Sequence, residues 1–209
     1  MVAAIILAAG LSSRLGKPKL LLPFNGRSLI RCTVEQVITA GGGEWKEVVV
    51  VLGHEAVRVQ QELEGLPIRS IVNPQFAMGM SASLIAGLQA ISPQAEGAMI
   101  FLGDQPLVSP EVVRRMLTVF RGGQRPIVVP VYDGVRGNPV LFSSSLFSEL
   151  MTVEGDKGGR EVVMRDPERV ATVAFPSDLA PRDVDTWEDY EALRAMVESG
   201  KVTCDRVAE

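Results

Sequence analysis

Apolar runs with little polar alternation recur along the chain at Ala3–Ala8, Glu47–Leu52, Ile68–Val72, Ala98–Leu102, Ile127–Val131 and Pro139–Phe142. Short runs of this kind predict strands buried on both faces, as parallel strands are. Between most of them the apolar period becomes helical. Ser28–Ala40 places Leu29, Ile30, Val34, Val37 and Ile38 roughly along one helix face and ends at Gly41-Gly42-Gly43. Ser109-Pro110-Glu111 opens a further helix with an N-cap, a proline in the first turn and an acid at the positive dipole end. Alternation of strand and helix over the first 130 residues predicts right-handed βαβ units in a three-layer α/β fold with a mostly parallel sheet. Beyond that point, short strands around Gly137–Phe142 and Val170–Phe175 are expected to add a small antiparallel element, followed by a helix over Thr186–Glu198. One domain over 1–198 and a polar tail over 199–209 complete the expected organisation.

Ligands of such sheets gather at the carboxyl ends of the strands. The segment after Ala8, then His54, Asn73 and Asp104, each follows an apolar run and so belongs on that one edge.

Composition narrows the partners. The 209 residues carry a net charge of -4, with a pI near 5.2 and no run of Lys and Arg, which argues against general nucleic-acid binding. Cys32 and Cys204 lie far apart and form no C-x-x-C pair, so neither a disulfide framework nor a zinc site is expected. The N-terminal apolar run is short and lacks a basic leader, and no stretch approaches the length needed to span a bilayer. A cytoplasmic protein without nucleic-acid or membrane partners is expected.

The first run breaks into Ala9-Gly10-Leu11-Ser12-Ser13-Arg14-Leu15-Gly16-Lys17-Pro18-Lys19. Gly10 lets the backbone turn and offer N–H groups to an anion, with Arg14 and Lys19 adding positive charge. A dinucleotide fingerprint would need a second glycine two positions after Gly10, and a P-loop would need a hydroxyl where Pro18 stands, so neither fits. Asp104, in Leu102-Gly103-Asp104-Gln105-Pro106, is either a ligand for a hard cation or a turn aspartate before proline. Asp183 and Asp185 flank Val184 and could face one ion, or Asp185 or Thr186 could cap the following helix, with Thr186-Trp187-Glu188-Asp189 resembling a capping box. Asn73-Pro74 and Gly79-Met80-Ser81-Ala82-Ser83 suit either a nucleotide or an ordinary capped turn. Arg136-Gly137-Asn138-Pro139 and Gly155-Asp156-Lys157-Gly158-Gly159-Arg160 suit a second anionic substrate, or are surface turns. His54 reads as structural or solvent-facing. With no His-paired serine or cysteine, covalent triad chemistry drops out, and cations with carboxylates remain, which suits phosphoryl chemistry by positioning and electrostatics.

The run Leu7–Lys19 matches the signature L-A-A-G-x-S-x-R-[ML]-G-x-x-K. With Leu20-Leu21-Leu22-Pro23, the segment Asn73 to Leu88, Leu102–Pro106, Arg136–Pro139, Gly155–Gly158 and Asp183–Thr186 in the same order, the chain resembles the MobA-like nucleotidyltransferases, and among them the molybdenum cofactor cytidylyltransferases. The resemblance implies a Rossmann-like fold that binds a nucleoside triphosphate and Mg²⁺ and joins CMP from CTP to molybdopterin with release of pyrophosphate. Leu7, Ala8, Ala9, Gly10, Leu11, Ser12 and Ser13, with Asn73, Gly79 and Ser83, would hold the nucleotide. Arg14 and Lys19 would be catalytic, Asp104 and Asp185 would hold the metal, and Asn138, Asp156 and Lys157 would bind the acceptor. CTP is favoured because guanylyltransferases of this group carry Leu-Ala-Gly-Gly where this chain has Leu7-Ala8-Ala9-Gly10. Asn138 stands where the family often has histidine and cannot become cationic, which bears on acceptor identity. A molybdoenzyme or its chaperone would receive the product. The alternatives are a nucleotidyltransferase using GTP or another phosphorylated acceptor, and a noncatalytic nucleotide-binding chaperone of a cofactor.

Overall fold

In the computed structural model, which describes residues 1–11 and 15–199, β1 (Val2–Ala8) lies between β4 (Trp45–Leu52) and β6 (Gly97–Leu102), both parallel to it. Alternate residues of β1 enter different cores. Ala4, Ile6 and Ala8 join Ile30, Val34 and Val37 of α1 (Leu29–Gly41) and Met116 and Leu117 of α4 (Pro110–Arg121). Ala3 and Ile5 join Leu84 and Leu88 of α3 (Met80–Ala90) on the other face. Burial on both faces is why the strand reads as unbroken apolar sequence.

The helix α3 rests directly on the sheet because of Gly87. A Cβ there would lie 2.6 Å from Ile5 Cγ2 and 3.2 Å from Val51 Cγ2. Gly87→Leu is expected to destabilise the fold by about 1–3 kcal/mol, the usual cost of overpacking. A urea midpoint equal to wild type would contradict this close contact.

The main sheet runs β10 (Val170–Phe175), β7 (Ile127–Tyr132), β9 (Val140–Ser143), β6, β1, β4 and β5 (Arg69–Val72). From β1 the chain proceeds through β4, α2 (Ala56–Glu62) and β5 (Arg69–Val72) on one side, then crosses to β6 on the other. That reversal opens a crevice at the carboxyl ends of β1 and β6. Asp133-Gly134, both at positive φ (45° and 88°), turn β7 (Ile127–Tyr132) back into β8 (Val135–Arg136), a two-residue hairpin suited to Asp-Gly. β9 (Val140–Ser143) then inserts antiparallel between β7 and β6.

One expectation is corrected here. β10 (Val170–Phe175) pairs with β7 in parallel, not antiparallel. After β9 and α5 (Phe147–Leu150) the chain climbs to the crevice edge at Gly155–Lys157, and α6 (Arg160–Arg165) returns it to the opposite edge, so β10 must run the same way as β7.

A third apolar cluster joins Leu15, Leu22, Phe24, Leu29 and Cys32 to Val184, Tyr190 and Leu193. It docks α7 (Trp187–Glu198) on the small hairpin of β2 (Pro23–Phe24) and β3 (Arg27–Ser28), and the Tyr190 hydroxyl donates to the Pro23 carbonyl. Burial of Val184 fixes the two aspartates beside it at the crevice. Among the described residues no helix is long and apolar enough to cross a membrane. Cys204 and, from residue 200 on, the expected polar tail lie outside the described residues.

Candidate active site

The segment leaving β1 is anchored through its carbonyls. Leu7 O accepts from Gly103 N at 2.9 Å, and Ala9 O accepts from His54 N at 3.4 Å. The single histidine thus contributes its backbone to the loop. Ala9 is buried, whereas Gly10 and Leu11 are exposed. Gly10 has no left-handed φ, and a Cβ on it would meet nothing within 4 Å. Its turn therefore needs no glycine for the chain's own sake. Gly53 is the crowded position instead, where a Cβ would lie 2.6 Å from Phe76 Cβ and 2.7 Å from Ala9 Cβ. Ser12, Ser13 and Arg14 lie outside the described residues.

Lys19 opens a short 3-10 turn, Lys19–Leu21, whose Leu20 is buried. Its ammonium is paired with the Asp104 carboxylate and lies 3.0 Å from Asp185 Oδ1. Two residues far apart in sequence are thus brought onto one cation. Burial alone would lower the Lys19 pKa, but Asp104 and then Asp185 outweigh it and hold it above the ordinary lysine value. Lys19 is cationic throughout the neutral range.

The capping alternative for Asp185 is resolved by the start of α7. Thr186 is the N-cap and accepts from Asp189 N at 3.2 Å, while Asp189 Oδ2 accepts from Thr186 N at 2.9 Å. With the cap supplied by Thr186, the Asp185 carboxylate faces Lys19. Asp104 is held from behind, since the buried Thr33 hydroxyl donates to Gly103 O at 2.9 Å. Gln105 Nε2 donates to Asp183 Oδ1 at 2.6 Å, tying the two acidic segments together. Burial pushes the Asp183 pKa up, against the Gln105 hydrogen bond, and the neighbouring Asp104 and Asp185 charges add to the rise.

These groups line a cleft of about 510 Å³ with Leu7, Ala8, Ala9, Gly10 and Leu11 on one wall and Phe76, Ala77, Gly79, Met80 and Ser83 on another. Its charged end holds Lys19, Asp104, Asp183 and Asp185. A second cleft, of about 420 Å³, shares Leu7, Met80, Leu102 and Asp156 with the first. Its floor is apolar, including Ile100, Val129 and Phe142, and Arg136, Asn138, Lys157 and Arg160 line it as well. All three expected acceptor residues therefore fall in this cleft, with Asp156 at the junction.

Gly79 makes the junction possible. Its φ is 103°, a conformation that L side chains rarely adopt, and a Cβ would lie 2.5 Å from Asp156 Oδ1. Ser81 Oγ accepts from Gly158 N at 3.2 Å, fastening the Gly155–Lys157 turn to α3. Asn73 departs from its expected place. It is buried, hydrogen-bonded to Gln75 and Ser83, and borders an outer groove of about 880 Å³ rather than the cleft that holds Lys19. Thr33, Gly53, Gln105 and Arg160 carry structural or charge roles that no motif assigned to them individually. Gln105 lies in Leu102–Pro106 and Arg160 ends Gly155–Arg160, whereas Thr33 carries no local signal.

Among the described residues no cluster of three or more His, Cys, Asp or Glu side chains is arranged to hold a metal. Asp104 and Asp185 nevertheless supply hard oxygen donors converging on one cation, Lys19. That donor set suits Mg²⁺, which takes one or two carboxylates and completes its shell with water and substrate phosphates.

The sequence profile of the MobA-like NTP transferase domain matches residues 4–170. The chain is 33% identical to the nicotine blue oxidoreductase of Paenarthrobacter nicotinovorans over 201 residues, 92% of this chain and 96% of that protein. It is 26% identical to the molybdenum cofactor cytidylyltransferase of Escherichia coli over 140 residues, 66% of this chain and 68% of that protein. Among solved structures, that of Rv0371C from Mycobacterium tuberculosis in complex with manganese superposes with a TM-score of 0.79 at 31% identity, covering 93% of this chain and 98% of that one.

Proposed function

Since the chain belongs to the MobA-like NTP transferase family, we propose that it is a cytoplasmic enzyme that transfers CMP from CTP to the phosphate of a molybdopterin-type acceptor, releasing pyrophosphate. The observation that carries this reading is a cleft whose charged end holds Lys19, Asp104 and Asp185, adjoined at Leu7, Met80, Leu102 and Asp156 by a second cleft. One is shaped for a nucleotide whose phosphates reach the charged end. The other combines an apolar floor with Arg136, Lys157 and Arg160, the chemistry of a phosphorylated molecule with a flat organic body.

The reaction forms a bond between an acceptor phosphate oxygen and the α-phosphorus of the nucleotide and breaks the bond to pyrophosphate. A phosphate monoester is already anionic, so no strong base is needed, and positioning and charge stabilisation dominate. Lys19 stabilises negative charge growing around the α-phosphorus, and Arg14 engages the β and γ phosphates. Asp104 and Asp185 would hold Mg²⁺, which when bound neutralises phosphate charge and orients the triphosphate. Thr33 and Gln105 keep these carboxylate segments in place. Asp156, at the junction, and Asn138 and Lys157 orient the acceptor. Ala9 lines the nucleotide cleft and stands where guanylyltransferases of this group carry glycine, which favours CTP. The product passes to a molybdoenzyme or its chaperone.

Pyrophosphate release with molybdopterin and Mg²⁺ is expected to be strongest with CTP when CTP, GTP, ATP and UTP are offered in turn. Preference for GTP would overturn the base assignment. Release with a sugar phosphate in place of molybdopterin would overturn the acceptor. The 33% identity to the nicotine blue oxidoreductase over nearly the whole chain favours a second reading, oxidoreduction of an organic compound of the nicotine blue kind. Nicotinamide cofactor oxidation in the presence of such a compound, without pyrophosphate release from any nucleotide, would establish that reading instead.

A further inference from the structure

The side chain of Asn73 is buried, and both ends of its amide are engaged. Its Oδ1 accepts from the backbone N–H of Gln75 at 2.9 Å, and its Nδ2 lies 3.2 Å from Ser83 Oγ. The Gln75 N–H can only donate, so the amide orientation is fixed: oxygen toward Gln75, NH₂ toward Ser83. Asn73 therefore donates to Ser83, and the serine oxygen accepts.

Ser83 has one hydrogen left to give. Its residue is only 4% exposed and lines the nucleotide cleft, and among the described residues nothing in the protein accepts that hydrogen. A buried donor without an acceptor is costly, and it is satisfied when a ligand supplies one. Ser83 stands on the wall with Phe76, Ala77 and Met80, whereas Lys19, Asp104 and Asp185 supply the charges of the same cleft. The charged groups suit phosphates, so the wall of Ser83 is where a base would lie.

We propose that Asn73 is a specificity-determining positioning residue, which commits the Ser83 hydroxyl to donate to a ring nitrogen or carbonyl oxygen of the nucleobase. Asn73 touches no nucleotide. It acts through Ser83, and its second bond to Gln75 holds the loop that carries Phe76 and Ala77 at the correct distance. The inference rests on nucleotide binding in this cleft, as read above, and extends it to how the base is chosen.

Asn73→Asp provides the test. A carboxylate keeps an oxygen for the Gln75 N–H but cannot donate to Ser83. Ser83 must then donate to the carboxylate and turn its lone pairs to the cleft. Ser83→Ala removes the hydroxyl while leaving Asn73 in place. The readout is direct binding of CTP, GTP, ATP and UTP, expressed as the ratio between the best and the poorest nucleotide. Repulsion between a new carboxylate and the common triphosphate cancels in that ratio. Each single variant is expected to reduce the ratio about tenfold, the scale of one directed hydrogen bond. The double variant is expected to reduce it no further, because both changes remove one interaction. A wild-type ratio in either single variant, or losses that multiply in the double variant, would overturn the proposal. Ser83→Ala alone decides the matter if Asn73→Asp does not fold. Absence of binding by any nucleotide in the wild-type protein would instead overturn the nucleotide-binding reading on which the proposal rests.

Discussion

Lys19→Ala is expected to reduce turnover by about 10² to 10³, the loss seen when one preorganised electrostatic group is removed from a transition state. The expectation comes from where the side chain stands. Its ammonium is anchored by Asp104 and Asp185 at the charged end of the nucleotide cleft and stays protonated despite burial. It is therefore a fixed charge, requiring little reorganisation when the α-phosphorus becomes more negative. Lys19→Arg keeps the charge but replaces a point cation with a planar fork, and should restore only part of the activity. The kinetic signature is a fall in kcat larger than any rise in KM for the nucleotide, because the charge is used most at the transition state. Steady-state pyrophosphate release reads both constants, and wild-type turnover in Lys19→Ala would remove the residue from the mechanism.

Asp104→Ala is expected to lower metal-dependent turnover by about 10² or more, since a bound cation contributes several kcal/mol of charge stabilisation in phosphoryl chemistry. Two effects combine at this position. One of the two carboxylates facing a candidate Mg²⁺ is lost, and Lys19 loses the more buried of its two partners. The Mg²⁺ concentration for half-maximal activity should rise sharply, and more than in Asp185→Ala, whose carboxylate is the more exposed of the pair. The fold should survive, because Gly103 keeps its bonds to Leu7 and Thr33 whatever side chain follows it. An unchanged Mg²⁺ titration with full activity would return Asp104 to the role of a turn residue before Pro106.

Much of this architecture was legible in the sequence. The apolar runs that become β1, β4 and β6 are buried on both faces, and that double burial wrote them as uninterrupted Val, Ile and Ala. The same strands place Leu7–Leu11 and Asp104 on one edge, so the loop wall of the cleft and one of its charged groups could be placed by topology alone. The direction of β10 was not legible. It depends on the path through α5, the Gly155–Lys157 turn and α6, none of which leaves a local mark on Val170–Phe175.

Asp185 illustrates the limit differently. Its sequence favoured a helix cap over a metal ligand, and only the Thr186–Asp189 box and burial of Val184 decide where the carboxylate points. Asn73 was placed on the right edge but in the wrong relation to the cleft, because its side chain satisfies Gln75 and Ser83, a pattern no spacing rule encodes. Gly10 was the obvious turn glycine, yet it is Gly53 and Gly79 beside the cleft that neighbours distant in sequence crowd. Long-range contacts are what a single sequence conveys least.

The most direct test of nucleotidyl transfer follows the nucleotide itself. CTP labelled at its α-phosphorus, incubated with the protein, Mg²⁺ and molybdopterin, is expected to deliver its label to the pterin, with unlabelled pyrophosphate formed in equal amount. Label that remains entirely in CTP, under conditions where the protein binds both compounds, would contradict the account.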